Sequence, residues 1–346
     1  MTNTPEERTV LVTGASGFIA MHCILQLLQQ GYRVRGTLRT PSRADNLHAT
    51  FAQHAETGDR LEFVEADLMR DEGWDIAVEG CTYVLHVASP LPRKNPERED
   101  ELIIPAREGT LRVLQAASAA GVKRVVQTSS IAAMIHSADR DDSKVYDEND
   151  WSTFEGKGNA YPKSKTYAEQ AAWEYIRSLP EGDQMELATI NPSVVLGPIL
   201  DEDYGTSGEV VRKLMRKEYP GCPNLGFSFV DVRDVAAAHL AAMTVPEAAG
   251  ERFACSTQFA WVQEVAIILH DNFAARGYKI PTRKMPNLFV HAAALFDPTI
   301  RLAAGNLGKR TNISNEHIRK VLNWQPRSLE EMVVSMGESL IKYGVV

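Results

Sequence analysis

The sequence predicts an α/β protein built on a doubly wound parallel sheet, with a smaller C-terminal lobe. Three observations carry that expectation. Short β-branched runs alternate with longer helical patterns through the first half of the chain. A glycine-rich turn joins the first such run to the first helix. The chain has 346 residues, 44% of them hydrophobic and 24% charged, enough to bury a large core in one large domain or two lobes.

In order, TVLVTG (9–14) is a buried strand, and FIAMHCILQLLQQG (18–31) is a helix closed by Gly31. YRVRGTLR (32–39), LEFVEADL (61–68), TYVLHVAS (82–89) and VKRVVQTSS (122–130) continue the strand series, with a helix through EGTLRVLQAASAAG (108–121). Strands separated by helices pair in parallel through right-handed crossovers, which covers both faces of the sheet. A long helix follows Tyr161 and ends near Pro180, then MELATINPS (185–193) gives another strand. Residues 197–226 are rich in Gly and Pro, and VDVRDVAAAHLAAMT (230–244) reads as a helix. Residues 1–190, with 227–250 returning to them, are expected to form the sheet domain. Residues 191–226 and 251–346 are expected to form a lobe over the carboxyl ends of the strands. RKNPEREDE (93–101) reads as the solvated start of a helix.

The net charge of −8 disfavours a nucleic-acid footprint, which needs clustered Lys and Arg. Cys23, Cys81, Cys222 and Cys255 lie far apart with no Cys-x-x-Cys spacing, so reduced thiols are expected, and neither a metal site nor a disulfide framework. No signal-peptide core opens the chain and no apolar run approaches a membrane span. A cytoplasmic protein, monomer or homodimer, follows as the expectation.

TGASGFIA (13–20) sits at the first strand–helix junction. Gly14 permits the tight turn, Gly17 lets backbone approach a diphosphate, and Ala20 allows close helix–strand packing. This is the phosphate loop of a Rossmann-type sheet, with G-x-x-G-x-x-A spacing. No acidic residue occurs between Gly14 and Ala44, whereas Arg33, Arg35, Arg39 and Arg43 do. An acid there would accept from the ribose 2′-OH of NAD; a guanidinium instead suits the 2′-phosphate of NADP. Arg39, at the strand's end, is best placed, and Arg33 and Arg35 read as ordinary surface charges. Asp67 either accepts from an adenine amino group or caps a helix over 68–72.

QTSS ends the strand before Tyr161, and Lys165 stands one helical turn beyond the tyrosine on the same face. Alone, such a pair is most simply a surface tyrosine beside a solvated lysine. Beside a dinucleotide loop and a strand-end serine it has a use. A hydride delivered to a carbonyl carbon needs a proton for the developing alkoxide. A free phenol has a pKa of about 10, and a neighbouring ammonium is expected to lower it. Tyr161 is then the proton donor, Ser130 orients the carbonyl, and Lys165 tunes the phenol and reaches the ribose hydroxyls.

These stretches, with VTGASGFIA, VRGTLR, GCTYVLHVASP, TSSIAA, VYDENDW, YPKSKTYAEQAAWE, NPSVVLGP and DVRDVA, resemble the extended short-chain dehydrogenase/reductases along nearly the whole chain. The resemblance is greatest to their dihydroflavonol reductase-like branch of NADPH-dependent carbonyl and aldehyde reductases. It implies Ser130, Tyr161 and Lys165 as the catalytic set. It implies cofactor contacts at Gly14, Ala15, Ser16, Gly17, Phe18, Ile19, Arg39, Asp67, Leu68, Val87, Ala88, Ser89, Pro192, Ser193, Val194, Val195 and Ser207, besides Tyr161 and Lys165. The chain departs from the pattern in three places. Asn46 stands where a second basic cofactor contact usually falls, leaving Arg43 as the nearby substitute. Ile135 replaces the Asn that holds flavonoid hydroxyls in plant dihydroflavonol reductases, and the Cys of the cinnamoyl-CoA reductase tyrosine motif is absent.

The residues expected around a substrate are apolar: Ile131, Ala132, Ala133, Met134, Ile135, Val194, Val195, Leu196, Pro198, Ile199, Pro90 and Leu91. Such walls favour an apolar or aromatic carbonyl compound over a sugar or free acid. Two alternatives stand beside a reductase: a nucleotide-sugar epimerase or dehydratase on the same fold, and an NADP-sensing protein without turnover.

Overall fold

The hydrophobic pattern sets the order of elements. The computed structural model describes residues 5, 8–90, 98–137, 143–155, 160–180, 182, 185–293 and 304–346. Within them β1 (Thr9–Val12), α1 (Phe18–Gln29), β2 (Arg33–Leu38), α2 (Ala44–Ala52), β3 (Leu61–Glu65), α3 (Trp74–Val78) and β4 (Cys81–His86) follow one another. Next come α4 (Asp100–Ala119), β5 (Arg124–Thr128), a 3₁₀ turn at Ile131–Ala133, β6 (Val145–Tyr146), α5 (Ala160–Ser178), β7 (Glu186–Pro192) and β8 (Val194–Leu196). The chain continues through α6 (Glu209–Met215), β9 (Gly226–Asp231), α7 (Val232–Thr244), β10 (Arg252–Cys255), β11 (Gln258–Trp261), α8 (Val262–Phe273) and α9 (Asn287–Ala293). It closes with β12 (Asn312–Ile313), α10 (Glu316–Leu322) and α11 (Leu329–Lys342).

The main sheet has strand order β10-β7-β5-β4-β1-β2-β3, with every pair parallel. Alternating side chains feed two cores, as the period of a strand requires. Val10, Val12, Tyr83, Leu85, Val126 and Ile190 join the core under α1 and α7. Leu11, Val84, Val125 and Leu187 join the opposite one, against Val113, Leu114 and Ala172 of α4 and α5. In α1 the buried Ala20, Met21, Ile24, Leu27 and Leu28 recur at helical spacing. Gly31, at φ 89, then turns the chain into β2. Strand order reverses direction between β1 and β4, and there the carboxyl ends leave a crevice.

A three-stranded sheet, β11-β9-β8, and a short parallel pair, β12-β6, make up the rest. The helix expected over 230–244 begins at Val232, because Asp231 caps it by accepting from Arg233 N at 2.8 Å. Residues 227–250 divide: β9 pairs in the small sheet, while α7 packs on the main one. β10, expected in the second lobe, extends the main sheet at its edge, where all four of its residues are buried. Among the described residues no helix is long and apolar enough to cross a membrane, and no three His, Cys, Asp or Glu side chains gather as a metal site. Leu91 and the charged run over 93–97 lie outside the described residues.

Candidate active site

The glycine loop is held from β2. Thr37 accepts twice, its hydroxyl from Gly14 N and its carbonyl from Ala15 N, both at 2.9 Å. Those two amides are thereby spent, so Gly14 and Ala15 contribute shape and not donors. Gly14 has φ 68, and a Cβ there would stand 2.9 Å from Ala88 Cβ, so the turn requires glycine. Gly17 caps α1 without any side-chain hydrogen bond, and the helix's first turn contains no acid. Its first amides, at Phe18, Ile19 and Ala20, have no intrahelical acceptor and carry the positive end of the helix dipole. Thr13 fastens the neighbouring strand end: its hydroxyl accepts from Ala88 N at 2.9 Å and lies 3.0 Å from His86 Nδ1. Val87, Ala88 and Ser89 are half-buried on this rim.

The four arginines separate into two pairs. Arg33 is tied to Asp59 at 2.9 Å. Arg35 is more than a surface charge: its Nε donates to Glu62 at 2.6 Å and its Nη1 to the carbonyls of Ile76, Ala77 and Glu79. It closes the C-terminal end of α3. Arg39 is exposed at the end of β2 with no hydrogen bond or ion pair among the described residues. Arg43 reaches back to the glycine loop, donating to Ser16 Oγ at 3.1 Å. The helix considered over 68–72 does not form. Asp67 Oδ1 instead accepts from Met69 N at 3.0 Å in a tight turn, whose carbonyls at Asp67 and Arg70 each take Trp74 Nε1 at 3.1 Å. Leu68 is half-buried against Gly109 of α4.

The loop over 201–208 arrives at the same rim, since a Cβ on Gly205 would meet the Phe18 ring at 3.3 Å. Ser207 lies two residues on and is half-buried. Pro192 ends β7, Val194 and Val195 open β8, and between them Ser193 N donates to Cys255 O at 3.0 Å. The Ser193 hydroxyl is buried without a hydrogen-bond partner among the described residues.

Ser130 follows β5 in extended conformation, 8% exposed, and its hydroxyl accepts from Ala132 N at 3.1 Å. The phenol of Tyr161 on α5 neighbours this hydroxyl, which favours the ionised phenol. The Tyr161 residue is 39% exposed, but its phenol end is crowded by protein. Burial raises the phenol above its usual pKa, and the neighbouring Ser130 hydroxyl opposes that only in part. The lowering expected from Lys165 is thus absent in the protein alone. The tyrosine is held protonated, the state an acid needs. Lys165 shows the mirror effect: burial lowers it to about 8, against the attraction of Glu169 one turn further along α5. His86 is driven to about 3 by burial and then by the nearby Lys165 charge, so it stays neutral.

Of the apolar wall, Ala132, Ala133, Met134, Val195 and Leu196 are core. Ile131, Ile135, Val194 and Pro90 remain half-exposed. Pro198 and Ile199 turn elsewhere. They line a shallow cavity of about 920 Å³ between α1 and α11, with His22, Gln26, Arg233 and Lys342. Sequence reasoning missed Thr13, Thr37, His86, Glu169 and Asn191. Only Glu169 left a signal, an acid four residues after Lys165 as Lys165 is four after Tyr161.

The residues present fit NADP. A loop that admits no Cβ at Gly14, an uncapped helix start, Arg39 without a partner among the described residues, Arg43 set against Ser16 of the loop and an orphaned Ser193 hydroxyl together match a phosphate-rich ligand with an amide end.

Residues 10–255 match the NAD dependent epimerase/dehydratase family. The chain is 32% identical to the NADPH-dependent methylglyoxal reductase GRE2 of Saccharomyces cerevisiae, over 97% of this chain and 98% of that protein. It is 37% identical to cinnamoyl-CoA reductase 1 of Arabidopsis thaliana, over 81% of this chain and 78% of the other. The crystal structure of yeast methylglyoxal/isovaleraldehyde reductase Gre2 complexed with NADPH superposes with a TM-score of 0.81 at 29% identity, covering 98% of this chain and 100% of that one. The likeness runs along nearly the whole chain in sequence and in fold, and the chain belongs to the NAD-dependent epimerase/dehydratase family, within its dihydroflavonol reductase-like branch of extended short-chain dehydrogenases/reductases.

Proposed function

We propose that the protein is an NADPH-dependent reductase that converts aldehydes or ketones to alcohols, reversibly, with an apolar or aromatic carbonyl compound as substrate. The observation that carries this is the Tyr161 phenol beside the Ser130 hydroxyl, with Lys165 one turn on, at the carboxyl edge of a sheet whose second strand ends in Arg39, exposed and without a partner among the described residues. NADPH, when bound, supplies the hydride. Ser130 donates to the carbonyl oxygen and draws electron density onto it. Tyr161, kept protonated by burial, gives its proton as the oxygen becomes an alkoxide. Lys165 reaches the ribose hydroxyls and offsets negative charge left on the phenolate. Arg39 takes the 2′-phosphate, with Arg43 beside it from Ser16.

The absence of an acid at the end of β2 disfavours the NAD-retaining epimerase reading, and the intact Ser–Tyr–Lys set disfavours a sensor without turnover. Ile131, Ile135 and Val194 offer substrate no hydrogen bond, so an unpaired hydroxyl or carboxylate buried there is costly. The test is NADPH oxidation against a panel of carbonyl compounds. Aryl or medium-chain aldehydes and ketones should exceed hydroxylated sugars by at least about tenfold in kcat/KM, since roughly 1.4 kcal/mol suffices. Equal or better turnover of nucleotide sugars would defeat the reading and favour an epimerase or dehydratase. NADPH binding with no oxidation across the panel would favour the sensor.

A further inference from the structure

Glu169 lies one helical turn beyond Lys165 and two beyond Tyr161, on the same face of α5. It is a fully buried carboxylate, and a buried charge is tolerated only when paired and hydrogen-bonded. Both oxygens are fully used. Oε1 accepts from Arg252 Nε at 2.6 Å and from the Thr189 hydroxyl at 3.0 Å. Oε2 accepts from the Ser129 hydroxyl at 2.5 Å and from Asn191 Nδ2 at 2.8 Å. Asn191 Nδ2 also donates to the backbone carbonyl of Ser130, at 3.2 Å. One carboxylate thus holds Ser129 directly and Ser130 through a single amide.

Arg252 carries the network outward. Its Nη1 donates to the carbonyls of Glu148 at 2.6 Å and Asp150 at 2.8 Å, and its guanidinium stacks 3.7 Å from the centre of the Trp151 ring. Two residues past Asp150, Ser152 donates from its amide to Ala133 O and from its hydroxyl to Ala132 O, both at 2.8 Å. The network therefore closes on the turn that begins at Ser130. Packing alone would be served as well by an apolar cluster of the same volume, so a charge here calls for a reason. Lys165 provides one. Glu169 on its own helix is the negative charge that acts on it, with Arg252 of β10 paired to the far side of that carboxylate and neutral His86 facing it from β4.

We propose that Glu169 is a positioning residue for the reaction, fixing the backbone of Ser130 through Asn191 while its charge holds Lys165 as the ammonium. This rests on the Ser130–Tyr161–Lys165 reading above. Burial already draws Lys165 down to about 8 against the pull of Glu169, so neutralising Glu169 should carry it lower still.

The test compares Glu169→Gln, Asn191→Ala and Tyr161→Phe with wild type in the full chain. The readouts are kcat on an apolar aldehyde, kcat/KM for NADPH across pH, and NADPH affinity by fluorescence titration. Glu169→Gln should lower kcat about tenfold or more and shift the alkaline limb of kcat/KM to lower pH, with NADPH affinity within about threefold. Asn191→Ala, which spares the Glu169–Arg252 pair, should lower kcat about fivefold or more and leave the limb in place. Wild-type kcat in Asn191→Ala, or an unmoved limb in folded Glu169→Gln, overturns the proposal. Should Glu169→Gln fail to fold, Asn191→Ala decides alone. If Tyr161→Phe keeps wild-type kcat, the trio itself is misread. If Tyr161→Phe is inactive while the other two match wild type, the trio stands and the positioning role falls.

Discussion

The carboxyl ends of β1 and β2 and those of β5 and β7 edge the same sheet but are built from opposite materials. The first pair is backbone, threonine and glycine. Gly14 and Ala15 lean on Thr37, Ala88 leans on Thr13, and the charges beside them, Arg39 and Arg43, are exposed. The second pair is side chain and buried charge: Glu169 and Arg252 lie 2.6 Å apart inside the protein, and Tyr161 and Lys165 both titrate against burial. The first end should lose binding in proportion to each contact removed, because water can replace a missing surface partner. The second should lose function abruptly, because removing one partner strands another in a dry site.

The largest effect tests the abrupt end. Tyr161→Phe removes the one oxygen that, in the proposed mechanism, gives the proton, and that neighbours the Ser130 hydroxyl. Loss of a positioned general acid should lower kcat by about 10²–10⁴-fold, with NADPH affinity changed only a few-fold. Steady-state rates under conditions where chemistry limits turnover, with a parallel binding titration, check both halves. A variant retaining more than about a tenth of wild-type kcat would show that Tyr161 is not the acid.

A smaller effect tests the graded end. Wild type should prefer NADPH to NADH in kcat/KM, and Arg39→Ala should remove most of that preference. A charge-assisted contact to phosphate is worth roughly 1.5–3 kcal/mol, about ten- to a hundredfold. Arg43→Ala should cost less, because its Nη1 already spends a donor on Ser16. An unchanged cofactor ratio in Arg39→Ala would move the phosphate to Arg43; Arg33 and Arg35 are committed to Asp59 and to the end of α3.

The same contrast explains what the sequence disclosed. The phosphate end is local: Gly14 meets Thr37 across 23 residues and Arg43 meets Ser16 across 27, so a strand–turn–helix–strand pattern contains it. Tyr161 and Lys165 were legible because helical spacing alone puts them on one face. Asn191 and Ser130 are 61 residues apart and Arg252 and Glu169 are 83 apart, and no periodicity announces such pairings. β10 joins the main sheet, apart from the segments that follow it in the chain, for a like reason. Its place at the sheet edge depends on pairing with β7, which four residues of sequence cannot state. The direction of the Tyr161 shift also lay beyond the sequence, because desolvation is a property of everything packed around the phenol.

The smallest effect is a pH dependence that the two ends should divide between them. Lys165 is charged below its pKa, which burial lowers to about 8, so its ammonium is present at neutral pH and lost as pH rises through that value. Tyr161 is raised and stays protonated over the same range, and His86, near 3, stays neutral. One group should therefore govern the alkaline side. Measured against NADPH, kcat/KM reports the free enzyme, so it should be flat from about pH 6.5 to 7.5 and then fall about tenfold per unit above pH 8. Arg39→Ala should lower the whole curve without moving the bend, whereas a change at the proton end should move the bend itself. A wild-type profile that stays level to about pH 9.5 would mean that Lys165 can lose its charge without consequence, and the ammonium would have no part in cofactor capture or proton transfer.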